Sequence, residues 1–282
     1  MALEAAERRR LLGLSRRVRE RIVRVVHASG SGHLGGSLSE VDLLVGLYGR
    51  TLRVNPREPS WPGRDRFVLS KGHGGLGLVA VLAEQGFLPE ADLATFGATG
   101  SALGMHMDHA KVAGLEASTG SLGHGLGMAV GMALGARVQG LASRTYCLIS
   151  DGECYEGSTW EAAISAAAFG LGRLTVLVDR NGLTMDGLTE EQVPLEPLAS
   201  KWASFGFRAV SIDGHDPDEI GEALDAAAEE RDRPTAIIAR TVKGKGVDFM
   251  ENRPEWHYGG LDRAMFERAM ASIGRMYGPL EG

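Results

Sequence analysis

The sequence predicts an α/β fold with a doubly wound parallel sheet. Three observations carry that expectation. Apolar runs of strand length alternate with helical patterns, an order that builds a parallel sheet covered on both faces. The 282 residues are 44% hydrophobic, ample for a sizeable core. No internal repeat and no linker interrupts the chain, so residues 1–282 read as a single domain.

Taken in order, Leu11, Leu14, Val18, Ile22 and Val25 recur at helical spacing and predict a first helix ending near Ala28. The arginines on it (Arg8, Arg9, Arg10, Arg16, Arg17, Arg19, Arg21, Arg24) read as a solvated helix face. A loop follows over 29–36, with Ser37 or Ser39 capping a helix that runs to about Tyr48. Residues 55–65 are polar and Pro-rich, a surface connection. Residues 66–70 form a strand, Lys71-Gly72-His73-Gly74-Gly75 opens a helix that stops at Gly86, and Leu88-Pro89 starts another. No periodicity is found over 97–117, and a loop that long is functional or disordered. Beyond Thr119 begins a long helix of small residues. Gly123, Gly127, Gly131 and Gly135 share one of its faces and predict close packing. His124 and Arg137 interrupt it, which argues against a membrane dimer motif. Further strands are expected over 145–149, 174–178, 207–213 and 234–240, with helices over 160–169, 197–206 and 218–229.

Composition excludes several classes. Net charge is −6 with acids and bases interspersed, which gives no reason to expect nucleic acid as a partner. No segment reaches the roughly eighteen clean apolar residues of a membrane span. The Arg-rich start has no apolar core of a secretory signal. Two cysteines, Cys147 and Cys154, are too few for a disulfide framework and read as reduced thiols in a cytoplasmic protein.

The chemistry concentrates between Ser150 and Leu183. Asp151-Gly152 follows one predicted strand, and Asp179-Arg180-Asn181-Gly182-Leu183 follows the next. In an open parallel sheet those carboxyl ends converge where ligands bind. A carboxylate, a side-chain amide and a turn carbonyl meeting there make a hard-oxygen site for a divalent cation such as magnesium. The competing reading is that Asp151 and Asn181 are ordinary turn formers. His33, His73, His106, His124 and His257 lie in Gly-rich or loop segments, a placement suited to an oxygen-rich, anionic substrate. Their spacing does not support zinc.

Five segments occur together in an order that resembles transketolase. They are Ser31–Ser37, Asp65–His73, Ser118–Gly123, the Asp151/Asn181 stretch and Thr241-Val-Lys-Gly-Lys-Gly246. The resemblance covers nearly the whole chain and is to the amino-terminal, diphosphate-binding (PP-type) half of that family, made as a separate subunit. It implies a thiamine diphosphate-binding fold in which the cofactor sits at a dimer interface. Asp151, Asn181 and the Leu183 carbonyl would hold magnesium, with calcium or manganese as substitutes, and Gly152 would help hold the diphosphate. Gly120 and Leu122 would lie along the cofactor, and His73, His257 and Lys243 would reach the diphosphate and the reacting centre. His33 and His106 would contact the donor ketose, and Glu156 would work across the dimer interface.

The implied reaction moves a two-carbon ketol unit from a ketose, free or phosphorylated, to an aldose. His257 and His33 are the expected acid–base groups, with pKa values near the ordinary imidazole value of about 6.5, and His106 orients the donor. The family's second, pyrimidine-binding domain is expected on a partner subunit, in an α2β2 assembly, with the lone chain inactive. Two other thiamine chemistries stay open, of the 1-deoxyxylulose-phosphate synthase or 2-oxoacid dehydrogenase type, as does a non-catalytic cofactor-binding subunit. The sequence departs from the family at Ser150, at Arg180, at Leu34 and at Met105-His106-Met107. The last two set apolar residues beside the substrate histidines and raise the expectation of an unusual sugar.

Overall fold

The five apolar runs form one parallel sheet in the computed structural model, which describes residues 3–278. The strands are β1 (Arg66–Leu69), β2 (Thr145–Ser150), β3 (Leu174–Arg180), β4 (Arg208–Asp213) and β5 (Thr235–Arg240), in the spatial order β1-β2-β3-β5-β4. Their register sets Ser150 beside Asp179, and Asp179 beside Ala239. The carboxyl ends of the three central strands therefore finish level.

Successive strand side chains point to opposite faces, so a run buried on both must be apolar throughout. Leu148, Leu177 and Ile237 face one core, closed by helices α1 (Ala5–Ser29), α2 (Leu34–Ser39), α3 (Val41–Gly46) and α4 (Gly75–Glu84). Cys147, Ile149, Val176 and Val178 face a second core beneath α5 (Gly125–Val138), α6 (Gly157–Ala168) and, past the short α7 (Thr189–Gln192), α8 (Leu198–Ser204). Helices α9 (Pro217–Glu229) and α10 (Arg263–Tyr277) complete the first layer. The sheet is thus wound on both sides. Among the described residues, no helix is long and apolar enough to cross a membrane.

Four expectations are corrected. The 29–36 loop is cut short, because α2 already begins at Leu34, and neither Ser37 nor Ser39 caps it. Leu34 and Leu38 are fully buried there, and that burial overrides the low helix propensity of the Gly-rich stretch. Ser39 Oγ instead donates to Asp179 Oδ2 at 2.6 Å. Arg19 is not on a solvated face. It is wholly buried, gripping Asp42 with two hydrogen bonds of 2.9 and 2.7 Å and donating to the Lys245 carbonyl. The glycine stripe of α5 is not packed within this chain: Gly127 and Gly131 meet nothing within 4 Å. Leu126, Ala129, Val130 and Ala133 make the buried face instead. The helix expected from Leu88 is a 3-10 segment, Glu90–Thr95.

Candidate active site

The chain turns sharply where β2 ends. Ser150 Oγ accepts a hydrogen bond from Glu153 N at 3.2 Å, and Glu153 Oε2 accepts from Ser150 N at 2.9 Å. Serine therefore closes this turn with its own side chain, which accounts for the departure there. The fully buried Glu153 also accepts from Ser70 Oγ at 2.5 Å and from Gly123 N at 2.9 Å. It ties the ends of β1 and β2 to the loop before α5. Burial raises its pKa against the pull of those donors.

Asp151 is 1% exposed. Its Oδ1 accepts from Gly152 N at 2.8 Å, and its Oδ2 accepts from Gly182 N at 2.7 Å and Arg180 Nη1 at 3.1 Å. Arg180 reaches on to Thr189, Glu190 and Glu196, so this departure fastens Asp151 to the loop beyond β3. Asn181 Oδ1 accepts from Leu183 N at 3.1 Å, which shapes the turn carrying the Leu183 carbonyl. Burial, followed by the neighbouring Asp179 carboxylate, pushes Asp151 up to about 6. Burial raises it even though Arg180 bonds its Oδ2 and Lys71 and Lys243 line the same cavity. The nearby donors are oxygens, and Asp151 Oδ1, which accepts a single bond, retains lone-pair capacity. These residues fit a small hard cation completed by water and phosphate oxygens.

A buried charge cluster supports this edge from behind. Asp179 pairs with Lys71 Nζ and accepts from Ser39 and Thr241 hydroxyls. Lys71 Nζ also donates to the Gly36 carbonyl at 2.8 Å and lies 3.0 Å from Glu40 Oε2. Glu40 is near Lys71 but has no well-aligned hydrogen bond. Burial lifts its pKa to about 8 against the pull of Lys71, so the acid holds its proton at neutral pH. The cluster then carries one cation and one anion. Sequence reasoning assigned no role to Glu40, Lys71, Asp179 or Glu153. The available signal was Asp179, a carboxylate ending an otherwise apolar strand.

The histidines converge from three directions. His73 sits on the turn after β1, and His257 on the 3-10 segment Pro254–His257. His33 precedes α2, with its ring 5.5 Å from those of both His73 and His257. His106 stands beyond it, ring centroids 5.9 Å apart. Lys243 Nζ lies 3.1 Å from His257 Nδ1 and donates to the Thr184 carbonyl at 2.7 Å. Its approach needs Gly35, where an added Cβ would come within 2.9 Å of Lys243 Cγ. A cavity of about 450 Å³ is lined by Asp151, Asn181, Leu183, His73, Lys243 and His257, together with Gly120, Leu122, Gly152 and Glu156. His33 and His106 stand outside that lining, joined to it through ring contacts. His124 is exposed and apart from the cluster.

The imidazole pKa values differ from the expected ones. Burial, then the neighbouring His106 and Lys243, lowers His33 to about 4. Burial and then Lys243 lower His257 to about 4, and burial with Lys71 takes His73 lower still. All three are neutral at pH 7. Because their folded pKa values lie below the unfolded 6.5, the unfolded chain binds more protons between about pH 6.5 and 4. Their contribution to stability is complete above pH 6.5 and is lost as pH falls through that window. The urea midpoint of the cofactor-free chain is therefore expected to drop from pH 7 to pH 4, and less steeply in a His33→Gln, His257→Gln double variant. An identical pH dependence in the variant would contradict this.

The apolar departures do not line the cavity. Leu34 is fully buried, and Met107 is 6% exposed with its Cγ 3.0 Å from where a Gly75 side chain would begin. Met105 packs on the same core.

Comparison with known proteins agrees with this arrangement. The family described as "Transketolase, thiamine diphosphate binding domain" matches residues 14–277. The chain is 43% identical over 244 residues to the 6-deoxy-6-sulfo-D-fructose transketolase subunit SqwG of Clostridium sp. (strain MSTE9), covering 86% of this chain and 89% of that one. It is 37% identical over 267 residues to an apulose-4-phosphate transketolase subunit of Phocaeicola vulgatus, covering 95% of each. Human transketolase is 38% identical over 258 residues, and the match spans 41% of its length. The crystal structure of transketolase from Campylobacter jejuni superposes with a TM-score of 0.87 at 28% identity, covering 96% of this chain and 43% of that one. The chain belongs to the transketolase family of ketol transferases and carries its thiamine diphosphate-binding domain.

Proposed function

We propose that residues 1–282 act as one PP-type domain that binds thiamine diphosphate and magnesium, or calcium or manganese in its place. With a pyrimidine-binding partner subunit in an α2β2 assembly, it moves a ketol unit from a ketose, free or phosphorylated, to an aldose. The observation that carries this reading is the meeting of the Asp151, Asn181 and Leu183 oxygens with His73 and His257 in one cavity. When bound, thiamine diphosphate supplies the nucleophilic carbon that cleaves a ketose C2–C3 bond. The chain's residues do the rest. Asp151, Asn181 and the Leu183 carbonyl hold the metal, while Gly152, Gly120 and Leu122 bring main chain close to the cofactor. Lys243, His73 and His257 face the diphosphate. Burial lowers Lys243 to about 8, so at neutral pH it keeps most of its charge for an anion. Neutral His33 and His257 accept the proton of the donor's C3 hydroxyl and return one to the acceptor. His106 orients the donor at the rim, and Glu156 reaches toward the partner.

Three of the matched relatives are named as subunits, which supports a partner. So does an uncovered surface on α5 and α6, where Gly127, Gly131 and Met128 of α5 and Ile164 of α6 are exposed. A cytoplasmic setting accords with two buried free thiols, Cys147 and Cys154.

His106→Ala is expected to impair donor turnover at least ten-fold, of the order of one general-acid–base or orienting contact. Cofactor affinity should stay within about two-fold, because His106 lies outside the cavity lining. A large loss of cofactor binding would remove the donor-orienting role. The binding reading itself is tested by titrating thiamine diphosphate into the chain by calorimetry, with and without magnesium. Metal-dependent binding at one site per chain is expected, and equal binding without a divalent ion would refute the metal site.

A further inference from the structure

The amino ends of the strands, the pole opposite the histidines, carry a second cavity of about 340 Å³. Its walls come from the ends of α5 and α6 and from the segments entering β2, β3 and β5. Ala133, Ala136, Leu141 and Leu171 supply an apolar side, and Arg137, Arg173 and Arg231 supply charge. Arg144 stands close by, its guanidinium held below the ordinary value by burial and by Arg231 and Arg173. Arg137 donates to the Phe169 carbonyl, Arg173 to the Leu141 carbonyl at 2.9 Å, and Arg144 to carbonyls at the end of α9. Among the described residues, none of these four arginines pairs with a carboxylate. Asp65, which accepts from the Arg144 main chain, is already paired with Arg53.

Capping of helix ends explains part of this charge. Three helix C-termini meet here, each equivalent to about half a negative charge. Four guanidiniums exceed that sum by about two and a half charges.

We propose that this cavity is a binding site for a small phosphomonoester. Its phosphate would sit between the Arg173 and Arg231 forks, with its carbon skeleton against Ala133, Ala136 and Leu171. Guanidinium forks match phosphate geometry, and the volume exceeds that of a bare phosphate. The site stands on its own, whatever the reaction at the other pole.

The test is amide NMR of the full chain titrated with 3-phosphoglycerate, with thiamine diphosphate and magnesium in excess to occupy the opposite pole. Glycerate and inorganic phosphate are the comparison ligands. Saturable shifts of the 140–143 and 170–173 amides are expected, with a dissociation constant of about 1 mM or tighter. Arg231→Ala alters an exposed side chain and should weaken binding about ten-fold with the remaining spectrum unchanged. Arg173→Lys, which keeps the charge and removes the fork, should weaken it less. Inorganic phosphate binding as tightly would support the site with free phosphate as occupant. Glycerate binding equally well, shifts that do not saturate, or undiminished binding by Arg231→Ala would overturn it.

Discussion

Lys71→Met is expected to destabilise the chain by about 3–5 kcal/mol, the usual cost of leaving a buried charge without its partner. Lys71 is the cation between Asp179 and Glu40, and all three side chains are at most 1% exposed. Its loss strands the Asp179 carboxylate among Ser39 and Thr241 hydroxyls, which bond to it without neutralising it. Glu40→Gln is the contrasting case. Glu40 is protonated at neutral pH, and an amide has nearly the same shape as a neutral acid, so a change within about 1 kcal/mol is expected. Urea unfolding of both variants decides between them. Equal losses would mean that Glu40 is ionised and that the cluster holds two anions.

The second large effect concerns Asp151. Asp151→Asn is expected to weaken joint binding of magnesium and thiamine diphosphate by about 2–5 kcal/mol, or ~30- to ~5,000-fold. The stability of the cofactor-free chain should barely fall, since burial and Asp179 already disfavour the charged form. Arg180 keeps Glu190 and Glu196 as partners when Asp151 loses its charge. Calorimetry and urea unfolding on the same preparation separate the two effects. A stability loss matching the binding loss would make Asp151 a structural residue.

Much of the fold was legible because a double-wound sheet imposes a simple signature. Strands such as 145–150 and 174–180 are buried on both faces and are therefore apolar without alternation. The residues proposed to hold the metal stand out for a related reason, since short polar motifs directly follow those runs. Propensity misled where burial decided the outcome. Leu34 and Leu38 draw a Gly-rich segment into helix, and Arg19 is buried because Asp42 waits inside the core. The α5 stripe shows the reverse: regular spacing says that one face is small, but not whether anything covers it. Charge coupling was not legible at all. The low pKa values of His33 and His257 come from burial and from residues distant in sequence, which no linear spacing displays.

The most direct measurement is two-carbon transfer by the tagged chain purified from its own host with whatever accompanies it. Xylulose 5-phosphate labelled at C1 and C2 would be supplied with ribose 5-phosphate, magnesium and thiamine diphosphate, and products followed by carbon NMR. The expected result is a labelled two-carbon unit on the acceptor, formed by the complex, not by the chain alone, and lost with Asp151→Asn. Transfer by the lone chain, or transfer undiminished in that variant, would contradict the proposed function.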